Sequence, residues 1–106
     1  MDQNIFKFWT LNVNSRQDIG GLHHKLSSDF PDLIFLQEVV QGSDELTLMF
    51  SRYGYTGYSS LSERGFGVGV LYKTTLHVSD ILPLEPGVLL LVRLEDNLTF
   101  INIYAP

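Results

Sequence analysis

Cysteine is absent from this chain of 106 residues, which excludes disulfide scaffolds, thiolate metal sites and cysteine nucleophiles. Positive charge is scarce too. Seven Lys and Arg stand against twelve Asp and Glu, a formal net charge of −5, so no broad basic surface can hold nucleic acid by charge alone, and a phosphate substrate needs the help of a metal. No apolar run approaches the ~18 residues that span a bilayer, and the start Met1-Asp2-Gln3-Asn4 has no basic stretch leading into an apolar one. The expectation is no membrane partner and a cytoplasmic or nuclear setting. What is present is a packable composition: 44% apolar and only 18% charged residues, which argues against disorder and against coiled-coil or collagen character. The length suits one core, hence one domain or a piece of one.

The segment Ile5 to Asn12 is apolar on both alternating faces and predicts a central strand covered on both sides. Asp18 to Asp29 reads as helix, because Ile19, Leu22 and Leu26 recur at helical spacing and Pro31 follows. Leu33 to Glu38 is a second short buried strand, so the opening predicts a strand-helix-strand unit with a right-handed parallel crossover. A short helix is expected over Asp44 to Phe50, ending before Gly54. Five β-branched or aromatic runs come next: Tyr55 to Leu61, Gly67 to Tyr72, Leu76 to Leu82, Val88 to Leu94 and Leu98 to Tyr104. Glu95-Asp96-Asn97 reads as a tight hairpin between the last two. The final strand is apolar on both faces, and two short helices cannot supply its covering layers, so the chain reads as cut in mid-fold.

Three residues at strand ends carry the candidate chemistry. Glu38 closes a buried strand at its C-terminal end, where open α/β sheets place ligands. It is either a solvated carboxylate or a ligand for Mg²⁺, which takes oxygen donors and commonly uses one or two carboxylates with waters and phosphate. Asn12 and Asn14 end the first strand, and the crossover should bring them beside Glu38, either as amides orienting a ligand or as simple turn residues. Tyr104 is either a packing aromatic or a phenol that donates to a phosphate as charge develops. Gly65-Phe66-Gly67-Val68-Gly69 matches no phosphate-binding spacing and instead suggests close approach of another backbone. Arg64 reads as a solvated loop arginine, His23 and His24 as structural or surface residues, and His77 as a strand residue without a catalytic partner.

Taken in order, the segments from Lys7 to Asn14 (KFWTLNVN), Pro31 to Glu38 (PDLIFLQE), Gly65 to Leu71 (GFGVGVL) and Phe100 to Pro106 (FINIYAP) resemble the endonuclease/exonuclease/phosphatase superfamily. Their flavour is most similar to the apurinic-type endonuclease domain of LINE-type non-LTR retrotransposons. The resemblance implies an α/β chain forming the N-terminal half of a four-layer α/β/β/α sandwich, with residues 1–106 a single partial domain. It implies Glu38 as the metal ligand, Asn12 as its companion in the site and Tyr104 as the hydroxyl contacting the scissile phosphate, with Mg²⁺ or Mn²⁺ as cofactor and DNA as partner of the intact domain. Asn14 and Ser15 depart from that pattern in the first loop. Superfamily members run to about twice this length and carry Asp-x-Asn and Ser-Asp-His segments that prepare the attacking water, so the fragment is expected to be inactive. The alternatives are a non-catalytic interaction module, self-associating through its uncovered sheet, and a superfamily member acting on inositol phosphate, sphingolipid or RNA.

Overall fold

The computed structural model describes residues 6–15 and 19–104. The expected strand start at Ile5, helix start at Asp18 and ending Ala105-Pro106 lie outside them. Strand β1 (Phe8–Asn12) and strand β2 (Leu33–Val39) run parallel, with Phe8 opposite Leu33 and Asn12 opposite Gln37. Helix α1 (Leu22–Asp29) connects them, so the strand-helix-strand unit forms as the pattern predicts. Leu22 and Leu26 of α1, with Ile19 just before it, are buried. The helix stops at Phe30, which adopts a left-handed conformation with φ 49° and donates its N–H to the Leu26 carbonyl, as suits a residue that Pro31 keeps out of the helix.

Helix α2 (Ser43–Phe50) follows β2 and buries Leu46 and Phe50. Gly42 occupies its cap position without a side-chain cap, and Asp44 and Glu45 in the first turn face the positive end of the helix dipole. A single 3₁₀ turn over Ser51–Tyr53 leads to Gly54, whose φ of 88° reverses the chain. Strands β3 (Tyr55–Leu61) and β4 (Gly67–Lys73) then pair antiparallel, and β4 inserts beside β2 to give the order β1-β2-β4-β3. A second sheet holds β5 (Val78–Glu85), β6 (Leu89–Leu94) and β7 (Thr99–Ile103) in chain order, all antiparallel. The hairpin at Glu95-Asp96-Asn97 forms, with Asn97 at φ 73° and its N–H donated to the Leu94 carbonyl.

One expectation is corrected. Strand β1 is an edge of the described sheet and not a central strand. Its apolar faces are nonetheless used: Trp9 and Leu11 pack toward the helices, whereas Phe8 meets Phe35 and Phe100 toward the second sheet. An apolar pattern records how many faces of a strand are covered and says nothing of its lateral neighbours.

Alternation along β2 divides the core in two. Ile34 and Leu36 join Leu22, Leu26, Leu46 and Phe50 between helices and first sheet, and Leu33 and Phe35 join Val68, Val70, Leu90 and Val92 between the sheets. The layers are therefore helix, sheet, sheet. Among the described residues nothing covers the outer side of the second sheet, where Ile101 and Ile103 are 54% and 61% exposed. No helix among the described residues is long and apolar enough to cross a membrane. The glycine run has the structural meaning its spacing suggests: a Cβ on Gly67 would lie 2.2 Å from the Ser60 carbonyl oxygen and 2.6 Å from Gly87 Cα.

Candidate functional site

The site begins with a defect in β2. Gln37 pairs with Val68 and Val39 pairs with Gly67, which leaves Glu38 as the extra residue of a β-bulge. Strict alternation would send Glu38 to the same side as Ile34 and Leu36, into the apolar layer under the helices. The bulge prevents this. Glu38 takes φ 57°, a left-handed conformation that is strained for any residue with a Cβ, while Val39 returns to the helix side. A carboxylate that the sequence pattern would bury is thus turned out to the strand end.

Asn12 meets it there. The crossover sets β1 and β2 side by side with their C-terminal ends together, and Asn12 Nδ2 donates to Glu38 Oε2 at 2.8 Å. The same amide caps its own turn, since Asn12 Oδ1 accepts the Asn14 N–H at 2.8 Å. Ser15 donates its N–H to the Glu38 carbonyl at 2.9 Å, so main chain and side chain both tie the first loop to the bulge. Asn14 and Ser15 adopt φ values of 51° and 60°.

Tyr104 arrives from the other sheet. It follows β7 directly, is half-buried, and anchors its N–H on the Val88 carbonyl at 2.9 Å. Its phenol faces Glu38, and its ionisation is pushed above the usual phenol range by desolvation and then by the negative charge of Glu38. The phenol accordingly keeps its proton at neutral pH and is available as a donor. Asn12, Glu38 and Tyr104, which stand far apart in the chain, thus converge on one carboxylate.

No group of three or more His, Asp or Glu side chains that could hold a metal occurs among the described residues. What the strand ends present is a single carboxylate, Glu38, with the Asn12 amide donating to one of its oxygens. That donor chemistry fits a hard cation of the Mg²⁺ type, which keeps most of its waters and needs few protein ligands, and it does not fit a soft or thiolate-bound metal.

The other candidates fall outside this cluster. Arg64 is exposed, its guanidinium 5.9 Å from the Phe66 ring centre. His23 stacks on Tyr53 and meets Phe50 edge-on, at centroid distances of 4.7 and 4.8 Å, which is a packing role. His24 is exposed on α1. His77 precedes β5 instead of lying in a strand and sits 3.7 Å from Glu95, a partner that its sequence neighbours do not reveal. Two polar residues in the quoted segments received no role from the sequence, Gln37 and Asn102. Their signal was visible as a polar side chain on the inward side of an otherwise apolar strand, and the structure joins them by a 2.8 Å hydrogen bond.

No curated protein matches the chain. Its fold is similar to the structure of an AP endonuclease from Archaeoglobus fulgidus, with TM-score 0.77 and 23% sequence identity, over 96% of this chain and 42% of that one. The chain therefore spans less than half the length of that relative. The model of the endonuclease/exonuclease/phosphatase family matches residues 9–104, a span that contains Asn12, Glu38 and Tyr104. On that match over nearly its whole length, the chain belongs to the endonuclease/exonuclease/phosphatase family.

Proposed function

We propose that residues 1–106 form the first half of a Mg²⁺- or Mn²⁺-dependent phosphodiesterase domain, a four-layer α/β/β/α sandwich when complete, acting on DNA as an endonuclease of the LINE retrotransposon type. The observation that carries this reading is the convergence of Asn12 and Tyr104 on a bulged, outward-turned Glu38. The DNA substrate is supported by the name of the structural neighbour, an AP endonuclease, and by the phrasing of the four quoted segments.

In this reading Glu38 holds the cation, and Asn12 fixes the carboxylate through its Nδ2–H without adding a second charge. The bound cation supplies charge neutralisation on the phosphate and the leaving oxygen. Tyr104 keeps its proton beside Glu38 in the free protein and offers its O–H as a hydrogen-bond donor to a phosphate oxygen as negative charge grows there. Activation of the attacking water belongs to groups outside these 106 residues. General-base help is typically worth ~10² to 10⁴ in rate, so the chain alone should show no measurable turnover. Calorimetric titration with Mn²⁺ tests the reading: the wild-type chain should bind it, Glu38→Gln should not, and equal affinity in the two proteins would defeat the assignment.

A second reading is favoured by one specific observation, the exposed apolar side of the second sheet with Leu82, Leu84, Ile101 and Ile103. Exposed patches of this kind mark association surfaces. The chain would then act as an interaction module, self-associating there. Sedimentation velocity across a hundredfold concentration range separates the two, because a chain that stays monomeric throughout removes self-association.

A further inference from the structure

Most of the packing between the two sheets is apolar; among the described residues it is crossed by a hydrogen bond from the Gly87 N–H to Ser60 Oγ at 3.2 Å and by one connected set of amides. Gln37 Nε2 donates to Thr10 Oγ1 at 3.0 Å and to Asn102 Oδ1 at 2.8 Å. Asn102, only 4% exposed, donates its Nδ2 hydrogens to the main-chain carbonyls of Leu36 at 3.1 Å and Gly69 at 3.0 Å. Both hydrogens and the acceptor oxygen of Asn102 are used. The set runs from β1 through β2 and β4 to β7, across both sheets.

Its position along the strands is what matters. Among the described residues β7 pairs with β6 alone, so no ladder there ties β7 to the first sheet. Phe100 packs against Phe6, Phe8 and Phe35 at centroid distances of 5.7, 5.5 and 5.6 Å, but apolar contact is non-directional and tolerates sliding along the strand axis. A buried amide with three fixed partners does not. A shift of β7 by one residue would turn Asn102 to the opposite face and leave Gln37 and two carbonyls without their partners.

We infer that Gln37 and Asn102 are positioning residues that lock β7 against β2 in one register, and so set Tyr104 against Glu38. Glu38 is the next residue after Gln37, and Tyr104 lies two residues beyond Asn102 on the same strand face. The lock deepens the site proposed above and, for any role in metal chemistry, rests on that reading. The placement of Tyr104 does not depend on it.

The test is NMR on the metal-free 106-residue chain. Nuclear Overhauser contacts between the Tyr104 ring and the Glu38 side chain report placement, and contacts between β6 and β7 report that the second sheet is intact. Asn102→Ala should weaken the Tyr104–Glu38 contacts at least several-fold while the β6–β7 contacts persist. Leu33→Ala, in the same inter-sheet cluster but at the far end of β2, serves as the control that lowers stability without touching the amides and should keep the Tyr104–Glu38 contacts. If Asn102→Ala does not fold, Gln37→Leu replaces it with the same expectation. Wild-type contacts in a folded variant, equal loss in Leu33→Ala, or unfolding of both amide variants would overturn the lock. Mn²⁺ titration of the same samples is read separately: absence of binding to the wild-type chain removes the metal reading and leaves the contact result standing.

Discussion

Replacing Glu38 by glycine should leave a more stable protein than replacing it by alanine, the reverse of what holds at an ordinary strand position. Glu38 sits at φ 57° in a bulge. A side chain with a Cβ in the left-handed region costs ~1 to 2 kcal/mol, and both variants lose the Asn12 and Tyr104 contacts equally, so the difference between them isolates the backbone. Glycine removes the strain but loses more conformational entropy on folding, ~0.5 to 1 kcal/mol relative to alanine. The net advantage of glycine is then ~0.5 to 1 kcal/mol, read as a rise in melting temperature on the order of 4 °C for a domain of this size. The assay is urea denaturation and thermal melting of Glu38→Gly and Glu38→Ala, beside Thr99→Gly and Thr99→Ala as a control pair on an exposed strand position without positive φ. At position 99 alanine should win by ~0.5 to 1 kcal/mol. If alanine also wins at position 38, the bulge is not strained, and the account of how Glu38 leaves the apolar layer is wrong.

Gly67→Ala should lose about 3 kcal/mol by denaturant midpoint, the upper end for overpacking, since both obstacles to its Cβ, at 2.2 and 2.6 Å, are backbone atoms. Gly20→Ala, exposed, without a positive φ and with nothing within 4 Å, should stay within ~0.5 kcal/mol of wild type. Tyr55→Phe should cost ~1 to 3 kcal/mol, because the fully buried Tyr55 hydroxyl donates to the Pro31 carbonyl at 2.5 Å and its loss leaves that carbonyl unsatisfied. Ionisation of Tyr55 is pushed up by burial and then by Asp32 and Asp29, and that of Tyr72 by burial. The folded state therefore holds these protons more tightly than the unfolded chain, and stability that is whole below pH ~10 should fall as pH rises further. Urea midpoints at pH 8 and pH 10.5 check the sign, and Tyr55→Phe should flatten the slope. At Ile101, 54% exposed, Ile101→Lys should leave the melting temperature nearly unchanged and reduce any concentration-dependent association seen by sedimentation; an unaltered association would place the contact elsewhere.

The elements were legible because each rests on a local signal. Ile19, Leu22 and Leu26 at helical spacing marked α1, Pro31 marked its end, and the β-branched runs marked the strands within a few residues. The resemblance that joined KFWTLNVN, LQE and NIYAP singled out Glu38, Asn12 and Tyr104, the three residues that the fold brings together. Other features were hidden for physical reasons. That β1 lies at a sheet edge depends on which strand fills the neighbouring space, and hydropathy along a strand does not record it. The His77–Glu95 contact joins residues eighteen positions apart across two strands, beyond any local pattern.

Composition and short-range periodicity thus determined the helices, the strands, the parallel opening unit and the identity of the polar residues at strand tips, because those properties follow from the chain's nearest neighbours and from which faces must be dry. Only the tertiary structure decided where Glu38 points. Alternation alone would carry its carboxylate into the apolar layer, and one extra residue in the ladder between β2 and β4 reverses that direction. It also decided that Gln37 and Asn102 meet, since a hydrogen bond between residues 65 positions apart exists only once the second sheet has packed against the first.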